Sequence, residues 1–107
     1  MDSNHYLFTD LAKADLNIII SYIALELHNL PAANTFYNNV IEALNILVSF
    51  PESGSEVENE FLFGDNIRIM SIQNYIMYYF YNKDKKEIII LRIVYGKMNL
   101  DEILKTI

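Results

Sequence analysis

Two runs of β-branched and aromatic residues flank the polar break Asn82-Lys83-Asp84-Lys85-Lys86: Asn74-Tyr75-Ile76-Met77-Tyr78-Tyr79-Phe80-Tyr81 before it and Ile88-Ile89-Ile90-Leu91-Arg92-Ile93-Val94-Tyr95-Gly96-Lys97 after it. Such residues suit a pleated, half-buried surface, and so short a connection joins antiparallel strands, so this stretch reads as a hairpin. A third strand, near Ile67 to Ile72, precedes it and carries the isolated Arg68. Alternation places Tyr75, Met77, Tyr79 and Tyr81 on one face and Ile76, Tyr78 and Phe80 on the other. Both faces are apolar. A sheet covered by helices on one side alone should show a polar opposite face, so the second face calls for a bound segment, another subunit or the C-terminal helix.

Upstream, Asn4 to Thr9 reads as a short strand ending at a residue that can cap a helix through its hydroxyl, with Asp10 in the first turn. A first helix runs to about Asn29, with Leu16, Ile19, Ile20, Ile23 and Leu27 at the spacing of a buried stripe. Ile18, Tyr22 and Leu25 widen that stripe beyond what one packing face needs. Pro31 marks a break, and a second helix from about Ala32 to Ser49 puts Ala33, Phe36, Tyr37, Val40, Leu44, Leu47 and Val48 on one side. So short a connection predicts an antiparallel helical hairpin. Phe50-Pro51-Glu52-Ser53-Gly54-Ser55 is a turn, the acidic stretch to Glu60 an exposed loop, and Phe61, Leu62 and Phe63 its anchor to the core. After strands near Tyr75 to Tyr81 and Glu87 to Tyr95, Gly96 turns the chain. Asn99 then caps a short helix from Leu100 to Lys105, with Glu102 placed for a capping box. The expected fold is α+β: a helical hairpin on a small antiparallel sheet, in the order β-α-α-β-β-β with a short C-terminal helix, as one domain over residues 1–107.

At 107 residues the chain is large enough for a single core. It has no cysteine, which removes disulfides, thiolate ligands and a thiol nucleophile. Met1-Asp2-Ser3-Asn4-His5 lacks the basic and apolar regions of a signal peptide, and no apolar run approaches the roughly 18 residues of a membrane span. A cytoplasmic protein with no membrane contact is expected. The net charge of −6 is unevenly spread: residues 1–65 carry ten acidic residues and one base, whereas residues 66–107 carry seven bases and four acids. An acidic surface repels phosphates at long range, so direct DNA binding is not expected.

No cofactor or metal is indicated. His5 and His28 are separated by a whole helix, without a further ligand at metal-binding spacing. Glu56-x-Glu58-x-Glu60 and Asp101-Glu102 read as solvated loop and cap charges. With only Gly54, Gly64 and Gly96 there is no glycine-rich phosphate loop. Tyr75, Tyr78, Tyr79, Tyr81 and Tyr95 could stack on bases, but aromatics on strands more often serve core and cross-strand packing.

Several local patterns occur in a fixed order: Phe8-Thr9, Ala12-x-x-Asp15-Leu16, Tyr22-Ile23-Ala24, Pro31-x-Ala33 and Leu47-x-x-Phe50-Pro51-x-x-Gly54. Arg68 seven residues before Tyr75, Asn74-Tyr75-Ile76-Met77-Tyr78-Tyr79 and Leu91-Arg92-Ile93-Val94-Tyr95-Gly96 complete them. Together, over nearly the whole chain, they resemble the ParE/RelE superfamily of type II toxins, the ParE-like branch most closely. The resemblance implies a bacterial toxin of a toxin–antitoxin pair, of the kind linked to plasmid stabilisation, held inactive by a cognate antitoxin whose disordered tail folds over helices and sheet.

The ribonuclease branch that resembles RelE uses lysines on the strand before the hairpin, an Arg after the first hairpin Tyr, an Arg shortly after the glycine and a Tyr or His near the C-terminus. Here Ile67 and Ile69 flank Arg68, and Ile76, Met98 and Leu104 stand at the other places. Without a base, an acid or several cations, a phosphorane-like transition state has no stabilisation, and cleavage is not expected. The ParE branch implies a non-catalytic inhibitor whose expected target is DNA gyrase, although Met98 also replaces that branch's Arg. The alternatives are a RelE-like ribosome-dependent mRNA endoribonuclease and a degenerate toxin that serves as an antitoxin-binding module. The expected partner-binding residues are Arg68, Tyr75, Arg92, Tyr95 and Lys97, an electropositive spot on an acidic protein. The apolar excess on the first helix and the sheet predicts a homodimer when no antitoxin is present.

Overall fold

Thr9 sets the path of the first third of the chain. In a computed structural model that describes residues 3–57 and 66–107, strand β1 (His5–Phe8) ends at Thr9, whose extended backbone and Oγ1 cap helix α1 (Asp10–Ser21) by accepting from the Ala12 amide at 3.1 Å. A π-helical segment follows (Tyr22–Glu26), in which the Leu27 N–H reaches the Tyr22 carbonyl at 3.1 Å. This wider turn shifts the 3.6-residue periodicity. Ile19 and Ile23 are buried as the spacing predicts, while Leu27, beyond the wider turn and one of the residues expected on the buried stripe, is 54% exposed.

His28 adopts a left-handed conformation (φ 49°) and turns the chain into helix α2 (Leu30–Ser49). Pro31 lies within the first turn of α2 rather than marking a break, because a missing N–H there removes no helical hydrogen bond. The Asn29 side chain caps the helix by accepting from Ala32 at 3.1 Å. Ala33, Phe36, Val40, Leu44 and Leu47 face the core as the spacing predicts, but Tyr37 lies at the edge of that stripe and remains exposed.

The remaining elements are β2 (Ser55–Glu56), β3 (Ile67–Ile72), β4 (Tyr75–Asn82), β5 (Glu87–Tyr95) and helix α3 (Leu100–Leu104). The sheet order is β1-β5-β4-β3-β2. Strands β2 to β5 pair antiparallel and β1 joins β5 in parallel, so the α+β fold carries a mixed sheet. The parallel direction delivers α1 from the end of β1 onto the face beside β5. Part of the stretch expected as an exposed loop forms β2 instead, with Ser55 opposite Ile69 and Glu56 opposite Arg68. The expected anchor Phe61, Leu62 and Phe63 lies outside the described residues.

One sheet face, with Met77, Tyr79, Ile88, Ile90 and Ile93, packs against Phe36, Val40, Leu44 and Leu47 of α2 and Ala12 and Ile19 of α1. The other holds a second apolar cluster of Ile67, Tyr78 and Val94, closed by Ile103 and Leu104 of α3. Of the three covers considered for this face, the C-terminal helix is the one observed. Asn99 caps α3 by accepting from Asp101 at 2.9 Å, and Glu102 lies 3.7 Å from Lys105. No helix among the described residues is long and apolar enough to cross a membrane.

Packing so many tyrosines has a consequence at high pH. Desolvation raises the Tyr75, Tyr78 and Tyr79 phenols above their usual 10.0. Because the folded state holds these protons more tightly, their contribution is fully present below pH 10 and is lost as pH rises through the folded values. Urea unfolding at pH 8, 10 and 11 should therefore show a falling midpoint above pH 10; a midpoint unchanged to pH 11 would contradict this.

Candidate functional site

Pairing between β1 and β5 ends at Phe8 opposite Ile90, but β5 continues for five more residues, leaving backbone groups without a strand beside them. The ladder is also irregular here: Tyr79 lies opposite Ile90 and Tyr78 opposite Arg92, so Leu91 is an extra residue. Helix α1 and its cap supply the missing partners. The Thr9 hydroxyl lies 3.1 Å from the Ile90 carbonyl and 3.2 Å from that of Leu91, and Asp15 Oδ2 accepts the Ile93 N–H at 3.1 Å.

The same carboxylate takes Arg92 in a two-pronged pair, Nε to Oδ2 at 2.7 Å and Nη2 to Oδ1 at 3.0 Å. Arg92 Nη1 donates to Thr106 Oγ1 at 2.7 Å, joining the C-terminal tail to α1. With side chains only 12% and 10% exposed, the pair is largely withdrawn from water. The hydrogen bond to Asp15 outweighs desolvation and raises the guanidinium pKa further.

Beside this pair a groove of about 240 Å³ opens between α1, the π-helical segment and the ends of β4 and β5. Its walls include Ile18, Tyr22, Tyr75, Tyr95 and Met98. Tyr75 forms the floor, 5.0 Å from the Phe36 ring and 5.9 Å from Tyr95 between centroids. Burial is the main cause that raises the Tyr75 pKa, followed by the nearby Tyr22 and Tyr95, so the phenol stays neutral and available as a donor. The rim is unusually apolar for exposed surface, with Ile18 67%, Met98 51% and Tyr22 49% accessible. Such a site can bind an apolar side chain and offer hydroxyls. Its one carboxylate is already engaged by Arg92 and Ile93, and the described residues hold no cluster of His, Cys, Asp or Glu suited to a metal.

Tyr75, Arg92 and Tyr95 thus meet at one groove, and Lys97 is exposed two residues beyond Tyr95. Arg68 stands elsewhere. It lies on β3, two strands from β5, and donates to the carbonyls of Glu52 (3.0 Å) and Gly54 (2.7 Å) and to Glu56 Oε1 (3.3 Å). Ile67, Ile69 and Ile76 pack with Leu104 of α3 in the second apolar cluster.

A family model described as the ParE toxin of the type II toxin–antitoxin system parDE matches residues 6–100. The chain belongs to this family. Among solved structures, the chromosomal ParDE system from P. aeruginosa superposes on this ParE-family chain with a TM-score of 0.66 at 22% identity, covering 89% of this chain and 98% of that one. The RelBE2 toxin–antitoxin complex from Mycobacterium tuberculosis gives a TM-score of 0.58 at 21% identity, covering 88% and 99%. These two likenesses concern the fold. No curated protein matches the chain significantly.

The expected site omitted the other groove residues of this ParE-family toxin, among them Asp15, Ile18, Tyr22 and Met98. Asp15 had a signal. It falls three residues after Ala12 and four before Ile19, both buried, so a carboxylate on that stripe requires a partner inside the fold. The partner's identity lay 77 positions away.

Proposed function

We propose that this ParE-family toxin acts without a chemical step, by binding a protein target of which DNA gyrase is the family expectation, and that a cognate antitoxin neutralises it. The observation that carries this reading is the apolar packing at the ribonuclease-type positions: Ile67 and Leu104 are buried and Ile69 and Ile76, partly buried, pack against them where cleavage needs cations and a proton donor. Met98, exposed on the groove rim, offers apolar contact in place of charge. The partner-binding residues proposed from sequence play different parts. Tyr75, Tyr95 and Lys97 form or flank the contact surface. Arg92 braces it from behind, its guanidinium engaged by Asp15 and Thr106, whereas Arg68 lies away from it on β3 and holds the turn after α2.

An antitoxin tail of the kind this reading requires orders on binding, placing an apolar anchor in the groove and an acidic residue near Lys97. In the antitoxin's absence, the exposed apolar residues Ile18, Tyr22 and Leu25 favour self-association into a homodimer in the cytoplasm.

The test has two arms. Purified protein should leave messenger RNA on translating ribosomes intact and should inhibit gyrase supercoiling. Codon-specific cuts would establish the endoribonuclease alternative; inactivity in both assays with retained antitoxin binding would establish the degenerate module. Within the leading reading, Tyr95→Ala should weaken antitoxin binding by about 2 kcal/mol in calorimetric titration. Lys85→Ala, in the hairpin turn, should leave it unchanged.

A further inference from the structure

The outer edge of β1 has no strand beside it among the described residues. His5 and Thr9 donate their N–H groups to the Lys86 and Ile90 carbonyls of β5, so by strand alternation the N–H and C=O groups of Tyr6 and Phe8 point the other way. No described residue pairs with them, because β1 ends the sheet. An edge of this kind is ordinarily blunted by a charge, a proline or a bulge. Tyr6-Leu7-Phe8 contains none of these, and Tyr6 and Leu7 are 40% and 46% exposed. The opposite edge, β2, is only two residues long.

We propose that two copies of this chain pair antiparallel through β1 about a two-fold axis at Leu7, joining their sheets into one. This rests on the homodimer proposed above but places its contact on the β1 edge rather than on Ile18, Tyr22 and Leu25 of the helical face. The register follows from the backbone: centring on Leu7 puts Tyr6 opposite the second copy's Phe8 and Phe8 opposite its Tyr6. All four outward-facing groups of each edge are then satisfied. The side chains agree with that register. Tyr6 and Phe8 share a face, their rings 6.2 Å apart and edge-on, so the pairing sets aromatic against aromatic on one face and Leu7 against Leu7 on the other. Beside the strand, a groove of about 450 Å³ lined by Tyr6, Phe8, Lys13 and Leu16 leaves room for the second copy's aromatic side chains. A shift by one residue would leave outward groups facing inward ones, which excludes registers of the other parity.

The absence of cysteine makes the test direct. At a non-hydrogen-bonded antiparallel position the two Cα atoms lie about 4.5 Å apart, within disulfide reach. Leu7→Cys should therefore form a covalent dimer on mild oxidation, and Ile18→Cys should not. Leu7→Lys, which places like charges opposite each other, should weaken dimerisation about tenfold in sedimentation. Mixing Leu7→Lys with Leu7→Glu chains should restore a heterodimer, a rescue that a folding defect would not show. Folding of each variant is followed by circular dichroism. A wild-type monomer at high micromolar concentration would overturn both this proposal and self-association. A wild-type dimer disrupted by Ile18→Asp but not by Leu7→Lys, with no crosslink in the Leu7→Cys variant, would overturn this proposal alone and place the contact on the helical face.

Discussion

Asp15→Ala should cost about 3–5 kcal/mol of stability, the scale on which a buried ion pair responds when one partner is removed. Three donors lose their acceptor together: Arg92 Nε, Arg92 Nη2 and the Ile93 amide. The guanidinium would keep only Thr106, at the open end of the C-terminal tail. Since the remaining charge, more than the lost attraction, causes the damage, Asp15→Leu with Arg92→Met should recover much of the loss. Full recovery is not expected, because the Ile93 N–H still lacks a partner. Urea unfolding of the two single variants and the double variant checks this as a double-mutant cycle. A loss below about 1 kcal/mol for Asp15→Ala would mean that water or another acceptor replaces the carboxylate.

The second large effect is expected at Gly54. A Cβ there would lie 2.6 Å from the Ile69 carbonyl oxygen and 2.6 Å from Tyr79 Oη. Neither can yield easily. The Ile69 carbonyl belongs to strand β3, and the fully buried Tyr79 is fixed at its tip, accepting from the Gly54 N–H at 2.9 Å and donating to the Pro51 carbonyl at 2.8 Å. Gly54→Ala should cost about 3 kcal/mol through overpacking and the displacement of these bonds. Tyr79→Phe, which removes the hydroxyl and leaves the Gly54 N–H without its acceptor, should cost about 1–3 kcal/mol. In the double variant the combined loss should fall short of the sum of the two, because the phenol is one of the two obstacles. Strict additivity in the unfolding free energies would show that the Ile69 carbonyl alone resists the methyl group.

These sites mark the boundary between local and tertiary information. The period-2 runs at Tyr75–Asn82 and Glu87–Tyr95 and the 3–4 spacing of Ile19, Ile23, Phe36, Val40, Leu44 and Leu47 reflect burial directly, so elements and core were legible in the sequence. The match at the ordered motifs likewise brought out the family before any geometry. Tyr75 and Tyr95 were among the expected partner-binding residues, and they meet in the groove because they stand opposite each other at the open end of one hairpin.

Only the tertiary structure decided how charge and backbone were satisfied. Arg68 and Arg92 read alike as isolated cations between apolar neighbours, yet one holds the turn after α2 and the other joins α1 to the C-terminal tail. Residue type determines that a buried guanidinium needs acceptors but not which distant segment supplies them. That choice arises where β1 ends and leaves the Ile93 amide open for a carboxylate on α1. The parallel direction of β1, the π-helical turn at Tyr22 and the covering of the second sheet face by α3 follow the same logic. Side-chain periodicity reports which face of an element is buried, whereas the partner that buries it is selected by packing and hydrogen bonding across the whole fold.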